Sequence, residues 1–182
     1  GWNEEPYLDI YKAVYNENGT LSEPTLVSEL NTKWHDGPVA ISKDGNTMYY
    51  GSESFNEGDF EKNKEKKLKF GKIYLYKAVK DGDKWTNAKP LPINSETYSV
   101  RNPAISKDGK TLYFSSDMPG GLGGEDIWKV SVDGDSYGTP ENLGAKVNTE
   151  GDESFPFMTD KDEFYFTSNA REGFGGFDIY KI

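Results

Sequence analysis

The sequence predicts an all-β protein, a β-propeller built of four-stranded antiparallel blades. Two observations carry that expectation. A block made of a Ser-Lys-Asp-Gly turn, an aromatic run and a later Ile-aromatic-Lys segment recurs, with a regular period of 52 residues. Each block also divides into four short strand-like segments separated by turn chemistry. At a period near 50 residues, that division corresponds to one propeller blade. Composition agrees: 20 glycines and 9 prolines punctuate short segments, aromatics are plentiful, and no convincing helical periodicity is found.

The fullest copy reads Ile105-Ser-Lys-Asp-Gly-Lys-Thr-Leu-Tyr-Phe114, then Ser115-Ser-Asp117, a glycine-rich link, and Asp126-Ile-Trp-Lys129. An earlier copy runs from Ile41 to Tyr50 and resumes at Ile73-Tyr-Leu-Tyr-Lys77. A third, drifted copy runs from Met158 to Phe166 and ends on Asp178-Ile-Tyr-Lys181, and Asp9-Ile-Tyr-Lys12 is a partial fourth. Tyr50 precedes Lys77 by 27 residues, whereas Phe114 and Phe166 precede Lys129 and Lys181 by 15, so the first full block carries a 12-residue insertion.

Taken in order, residues 1–6 read as a loop and 7–15 as a strand. Asn16-Glu-Asn-Gly19 reads as a turn, and 21–30 as a strand that Pro24 confines to an edge. In each full block, strand A is expected to follow Pro103, with Pro38 and Pro156 as counterparts. B then covers 111–116, C 126–132 and D 137–143. Lys-Asp-Gly turns join A to B, and Asp81-Gly82 and Asp133-Gly134 join C to D, which is hairpin chemistry. Strand D carries its own echo: Leu21, Trp85 and Tyr137 stand six residues before Val27, Leu91 and Leu143. The chain thus divides into the end of a first blade (1–30), a blade with an insertion at 54–70 (31–91), a further blade (92–143) and a blade lacking its last strand (144–182). Closed propellers have roughly four to eight blades. About three are present here, so part of a larger, six-bladed ring is expected, with apolar sheet exposed at both ends of an open stack.

The 182 residues allow one ordinary domain. A formal charge of −10 disfavours nucleic acid as a partner. Cysteine is absent, so neither disulfides nor thiolate metal sites are available. No apolar run approaches the roughly 20 residues of a membrane helix. With neither an initiator Met nor a signal peptide, the chain reads as a mature or excised piece.

The repeat resembles the WD-like propeller repeats related to TolB, which carry a Ser-x-Asp-Gly-x-x-Leu-x-Phe-x-Ser core followed by Asp-Ile-Tyr. Gly120-Gly-Leu-Gly-Gly124, Gly173-Phe-Gly-Gly176, Leu143-Gly-x-x-Val-Asn-Thr149 and Trp2-Asn-Glu-Glu-Pro-Tyr-Leu-Asp-Ile-Tyr11 are similar to periplasmic OmpA-family proteins of Bacteroidota. The resemblance implies an outer-membrane-associated periplasmic protein. In that family the propeller lies between a helical-repeat region and a peptidoglycan-binding OmpA-like domain, and some members belong to the type IX secretion and gliding machinery. Two departures stand out: the insertion at 54–70, and the loss of the turn glycine in Thr159-Asp-Lys-Asp-Glu163. Neither flanking domain is in this sequence, so peptidoglycan binding is not assigned to these residues.

Asp9, Asp126 and Asp178 each precede an Ile-aromatic pair, with Lys72 read at that place in the second blade. They could form a ring of cation-binding carboxylates. A carboxylate accepting N–H bonds from the preceding glycine loop explains them better, since what every blade carries serves what every blade needs. Asp44 and Asp108 of the A–B turns are structural repeats in the same sense. Asp133-Gly-Asp135 and Asn16-Glu-Asn-Gly19 lack the ligand spacing of a calcium loop and read as turns, so no metal or cofactor is expected. Catalysis is not expected either. His35 is the single histidine, there is no cysteine or Gly-x-Ser-x-Gly elbow, and the glycine clusters lie between strands, not ahead of a helix.

In a blade of alternating strands, the B–C and D–A loops emerge on one face and the tight turns on the other. The insertion therefore shares a face with Trp34-His35-Asp36, Tyr98 to Asn102 and Glu150 to Ser154. Varied loops on a rigid ring are where binding residues collect. Trp34, His35, Phe55, Phe60, Phe70, Tyr98 and Arg101 are the candidate partner contacts, although the insertion aromatics could equally fold back on the blade. The expected function is a non-enzymatic interaction scaffold that binds a protein of the cell envelope. Two alternatives are a module gripping a glycan or peptidoglycan fragment on Trp34 and Tyr98, and a hydrolytic propeller with two acids converging in its channel.

Overall fold

The computed structural model describes residues 7–63 and 68–182, with sixteen strands and one short 3-10 turn. Residues 1–6 of the opening motif and 64–67 of the insertion lie outside the described residues. In chain order the strands are β1 (Tyr11–Lys12), β2 (Thr25–Leu26), β3 (Asp36–Ile41), β4 (Thr47–Glu53), β5 (Glu61–Asn63) and β6 (Leu68–Phe70). They continue with β7 (Ile73–Asp81), β8 (Lys84–Pro90), β9 (Val100–Ile105), β10 (Thr111–Ser116) and β11 (Asp126–Asp133). The last are β12 (Ser136–Tyr137), β13 (Glu141–Asn142), β14 (Glu153–Met158), β15 (Phe164–Ser168) and β16 (Asp178–Lys181).

They form successive antiparallel meanders. The order β3-β4-β7-β8 is one complete blade, and β9-β10-β11 with β12 and β13 is the next. A final blade has β14-β15-β16, and β1-β2 remains of a preceding one. The fold is therefore all-β and a partial propeller. The first strands β3, β9 and β14 stand side by side, the arrangement of inner strands around a propeller axis.

Burial follows from stacking blade on blade. Leu112 and Phe114 of β10 are fully buried, and they join Tyr49 and Leu75 of the preceding blade with Leu91, Val100, Trp128 and Val130 in one core. A second core joins Ile10, Val27 and Leu30 to Met48, Tyr50, Tyr74 and Tyr76. A third joins Ile127 and Val147 to Phe164 and Phe166. Each core is thus an interface between consecutive sheets. At the two ends of the row the same faces are bare: Leu8, Tyr11, Val14 and Leu21 at one, and Phe174, Ile179 and Ile182 at the other.

Hydrogen bonds repeat with the blades. Val27, Leu91 and Leu143 donate their N–H groups to the carbonyls of Ile10, Leu75 and Ile127. A few residues later, the amides of Asn31, Asn94 and Asn148 each bridge both backbone groups of the same Ile10, Leu75 and Ile127. The side-chain amide thereby replaces a peptide group and clamps the D–A connection to strand C.

Several expectations need correction. The inner strands begin before their prolines, because Pro38, Pro103 and Pro156 sit inside β3, β9 and β14 at register shifts. A residue without an N–H is tolerated at a bulge. The residue ahead of each proline is left-handed: Gly37 at φ 107°, Asn102 at 52° and Phe155 at 49°. The N-terminal strands are much shorter than expected. Among the described residues only 11–12 and 25–26 pair as strands there, as a two-stranded sheet of their own. Strand D of the third sheet is split into β12 and β13 around Gly138 to Pro140. The lost turn glycine is replaced by Asp162, which adopts φ 60° where Gly45 and Gly109 have 73° and 72°. Finally, strand register aligns Ser52 with Tyr74, Ser116 with Asp126 and Ser168 with Asp178. Tyr74, not Lys72, therefore occupies the aspartate position of the insertion-bearing blade.

Candidate interaction surface on the loop face

The connection ahead of β3 is fixed from beneath. Asp36 is buried, accepts a bond from Ser52 Oγ at 2.6 Å and another from Thr32 N–H at 2.5 Å, and Thr32 Oγ1 accepts from Trp34 N–H at 3.0 Å. This chain of bonds positions Trp34 and His35, both half-buried. His35 Nδ1 accepts the Leu8 N–H at 3.0 Å, so its proton sits on Nε2.

The insertion is not a bare loop. Residues 54–56 form a 3-10 turn, and β5 and β6 pair as a hairpin. Tyr74 and Tyr76 anchor it by donating to Asp59 at 3.0 Å and Glu57 at 2.9 Å. Burial pushes both phenols well above the usual tyrosine range, and the carboxylate partners add to the effect. Burial likewise raises the Glu53 carboxyl at the end of β4.

These elements assemble an aromatic row. Tyr7 meets Trp34 edge-on at 5.9 Å, Trp34 lies 4.6 Å from Phe55, and Phe55 lies 5.8 Å from Phe60. His35 is 4.9 Å from Tyr7. The row is decorated with cations: Lys33 lies over Trp34, and Lys62 and Lys69 lie over Phe60. Phe70, at the end of the hairpin, is half exposed.

The other two candidates lie elsewhere. Tyr98 packs against the core between two blades and donates to the Ile93 carbonyl at 3.3 Å. Arg101, on inner strand β9, pairs with Glu125 at 2.9 Å. Glu125 also accepts from Ser154 Oγ at 2.9 Å, and Asn102 Nδ2 donates to the same hydroxyl at 2.6 Å. Asp152 accepts the Glu125 N–H at 3.0 Å and is held by Asn169 at 2.9 Å. These groups line a cavity of about 450 Å³ whose remaining walls are Phe155 and Phe177, both more than half exposed. Sequence reasoning brought neither this cluster nor Tyr7 and the three lysines together. For Glu125 a signal existed: it sits next to a repeated aspartate, at the end of a link on the loop face.

The repeated aspartates have local partners. Asp126 is buried and accepts bonds from the Leu122 and Gly123 N–H groups and from Asn142. Asp178 accepts from Phe174 and Gly175 N–H at 2.8 and 3.1 Å. Asp44 and Asp108 cap the A–B turns, each accepting from a serine hydroxyl and a backbone N–H two residues on. Those bonds, led by the serine, hold both carboxyls below the usual range. Asp9 is exposed. Among the described residues, no group of three or more His, Cys, Asp or Glu is placed to hold a metal ion. Among the described residues, no helix is long and apolar enough to cross a membrane.

No family model and no curated protein matches the sequence. Solved structures do match. TolB from Acinetobacter baumannii aligns with a TM-score of 0.56 and 17% identity, covering 94% of this chain and 34% of that one. A putative TolB from Agrobacterium tumefaciens aligns at 0.48 and 20% identity, over 87% of this chain and 49% of that one. A puromycin-hydrolyzing peptidase from Mycobacterium tuberculosis aligns at 0.47 and 14% identity, over 76% and 20%. The chain therefore spans about a third of the length of the Acinetobacter TolB it matches. At such identity the likeness shows the fold, and the fold is a TolB-like β-propeller.

Proposed function

We propose that this chain is a non-enzymatic scaffold that binds a protein partner through its loop face, as the propeller part of a periplasmic, outer-membrane-associated protein. The OmpA-family assignment, with its Bacteroidota and type IX secretion setting, rests on the sequence motifs and belongs to this proposal. The observation that carries the binding role is the row Tyr7, Trp34, Phe55 and Phe60, continued to exposed Phe70. It brings aromatic side chains from three separate connections to one face of a rigid frame. Aromatic residues on such a face are typical interface anchors. A non-enzymatic role is supported by the engagement of the chemically able groups. His35 Nδ1 is taken by a backbone N–H, and Glu125 and Asp152 are both hydrogen-bonded.

Photo-cross-linking residues placed at Lys69, Phe70 and Arg101, with Lys43 and Lys107 on the turn face as controls, test the proposal. Adducts from the loop face alone are expected. Adducts from the turn face alone would overturn it. So would unchanged binding after trimming residues 55–70 and replacing Trp34 and Arg101.

A second reading is favoured by the cavity at Arg101. Two exposed phenylalanines beside a guanidinium, an amide and a carboxylate suit the apolar face and hydroxyls of a sugar ring. Titration with a soluble peptidoglycan fragment separates the two: saturable binding lost in Arg101→Ala and Phe155→Ala would favour the glycan.

A further inference from the structure

The insertion hairpin carries an arrangement that backbone pairing alone does not favour. Lys62 and Lys69 are directly opposite one another across β5 and β6. Like charges directly opposite one another are destabilising. Both ammonium groups lie over one ring, Phe60, at 5.4 and 4.3 Å from its centre. Among the described residues neither lysine forms an ion pair, whereas Lys77, Lys129 and Lys181 on the blades each have an acidic partner. Next to this pair, Phe70 is 51% exposed. Beneath it lies a cleft of about 200 Å³ lined by Ser54, Phe60, Phe70, Gly71 and Thr97, with Asp59, Glu61 and Glu96 at its walls.

We infer that this hairpin is a docking site for an acidic, extended peptide segment of a partner protein. The carboxylates of that segment engage Lys62 and Lys69, and an adjacent apolar side chain settles on Phe70 and in the cleft. The inference rests on the protein-binding reading above and names the chemistry of its partner. One feature selects an extended peptide over an anionic membrane: among the described residues the two-stranded hairpin has unpaired outer edges, to which an extended chain can add as a further strand and a lipid headgroup cannot.

The test uses fluorescence anisotropy at low salt with a labelled peptide of four glutamates around one phenylalanine, and its lysine counterpart as control. The acidic peptide alone is expected to bind. Lys62→Gln with Lys69→Gln should weaken binding about tenfold, a loss of roughly 1.4 kcal/mol. Phe70→Ser should weaken it several-fold, and salt beyond about 0.3 M should reduce it further as charges are screened. Equal binding by the wild type and the double variant would overturn the inference, as would no acidic-peptide binding at millimolar concentration. Lysine-dependent binding to phosphatidylglycerol vesicles in place of the peptide would also overturn it. If the double variant still gives the loop-face adducts that trimming abolishes, this inference fails and the protein-binding reading stands. If the loop face gives no adducts at all, the reading itself fails.

Discussion

Replacing Asn148 by alanine probes the device that joins one blade to the next. Asn148 is 1% exposed, and its amide accepts the Ile127 N–H at 2.8 Å and donates to the Ile127 carbonyl at 2.9 Å. It also donates to Asn142 Oδ1 at 2.8 Å. Ile127 is fully buried. Truncation therefore orphans the buried Ile127 N–H, at about 1–3 kcal/mol, while the Ile127 carbonyl keeps the Leu143 N–H as its donor. With the bonds to that carbonyl and to Asn142 also lost, we expect Asn148→Ala to cost about 2 kcal/mol, roughly thirtyfold in the folding equilibrium. Urea unfolding followed by tryptophan fluorescence reads it.

Two comparisons isolate the cause. Asn148→Leu fills the space but shuts out water, so it should be at least as damaging as alanine. If packing were what Asn148 contributes, leucine would restore stability. Asn31→Ala removes the same clamp from the open end of the row, where Ile10 is less deeply placed, and should cost about 1 kcal/mol. A loss below about 1 kcal/mol in Asn148→Ala, or equal losses at 31 and 148, would refute the clamp as a stabilising interaction.

Asp126→Asn leaves the shape but sets its NH2 against one backbone N–H donor, that of Leu122 or of Gly123, and should cost about 1–3 kcal/mol. The same change at half-buried Asp178 should cost less than about 1 kcal/mol by the same denaturation assay. Phe155→Asn should stabilise the chain by about 0.5–1 kcal/mol. A bulky side chain is strained at φ 49°, its ring is 58% exposed, and Asn102 takes this conformation in the preceding blade. A rise in Tm of a few degrees is expected, and a fall would show that the ring makes contacts worth more than the strain. Tyr50, Tyr74 and Tyr76 are held far above the usual tyrosine range, chiefly by burial. A raised folded-state pKa gives stability that is full below the unfolded value near 10 and falls as pH rises beyond it. An absorbance titration should therefore show exposed tyrosines ionising first and these three only with loss of the fold. One smooth phase near pH 10 would contradict their burial.

What was legible in the sequence is what a single strand or turn encodes locally. Leu112 and Phe114 alternate with Tyr113, and β10 covers 111–116 as that pattern requires. Asp81-Gly82 and Asp133-Gly134 mark their hairpins because glycine takes the left-handed position, with φ 59° and 62°. The six-residue echo of strand D also has a physical basis, since Val27, Leu91 and Leu143 donate to the same point of three blades. What was not legible depends on contacts between segments. Arg101 and Glu125 are joined by strand register and lie 24 positions apart, and Lys62 meets Lys69 only because the insertion folds as a hairpin. The sequence left open whether Phe55 and Phe60 are exposed anchors or fold back on the blade; they are half-buried against Trp34 and each other, and Phe70 is half exposed. The early strands failed for a related reason: 7–15 alternates well, but alternation makes a long strand only where a neighbouring sheet covers it.

The misplaced repeat position explains the insertion. In two blades an aspartate at the start of strand C gathers the N–H groups of a short glycine-rich link. A link of that kind needs an acceptor at its base, because its backbone donors have no sheet to pair with. In the remaining blade the link is replaced by 54–70, which satisfies many of its own groups through a 3-10 turn and a hairpin. A buried carboxylate there would have no such donors to serve and would carry a desolvation cost. Tyr74 stands in its place, donates a hydrogen bond outward to Asp59, and with Tyr76 ties the insertion to the blade. The exchange of residue and the exchange of loop are thus one change. A position that elsewhere closes a link here supports an added element, and that element carries Phe60, Lys62, Lys69 and Phe70 to the face where a partner would be met.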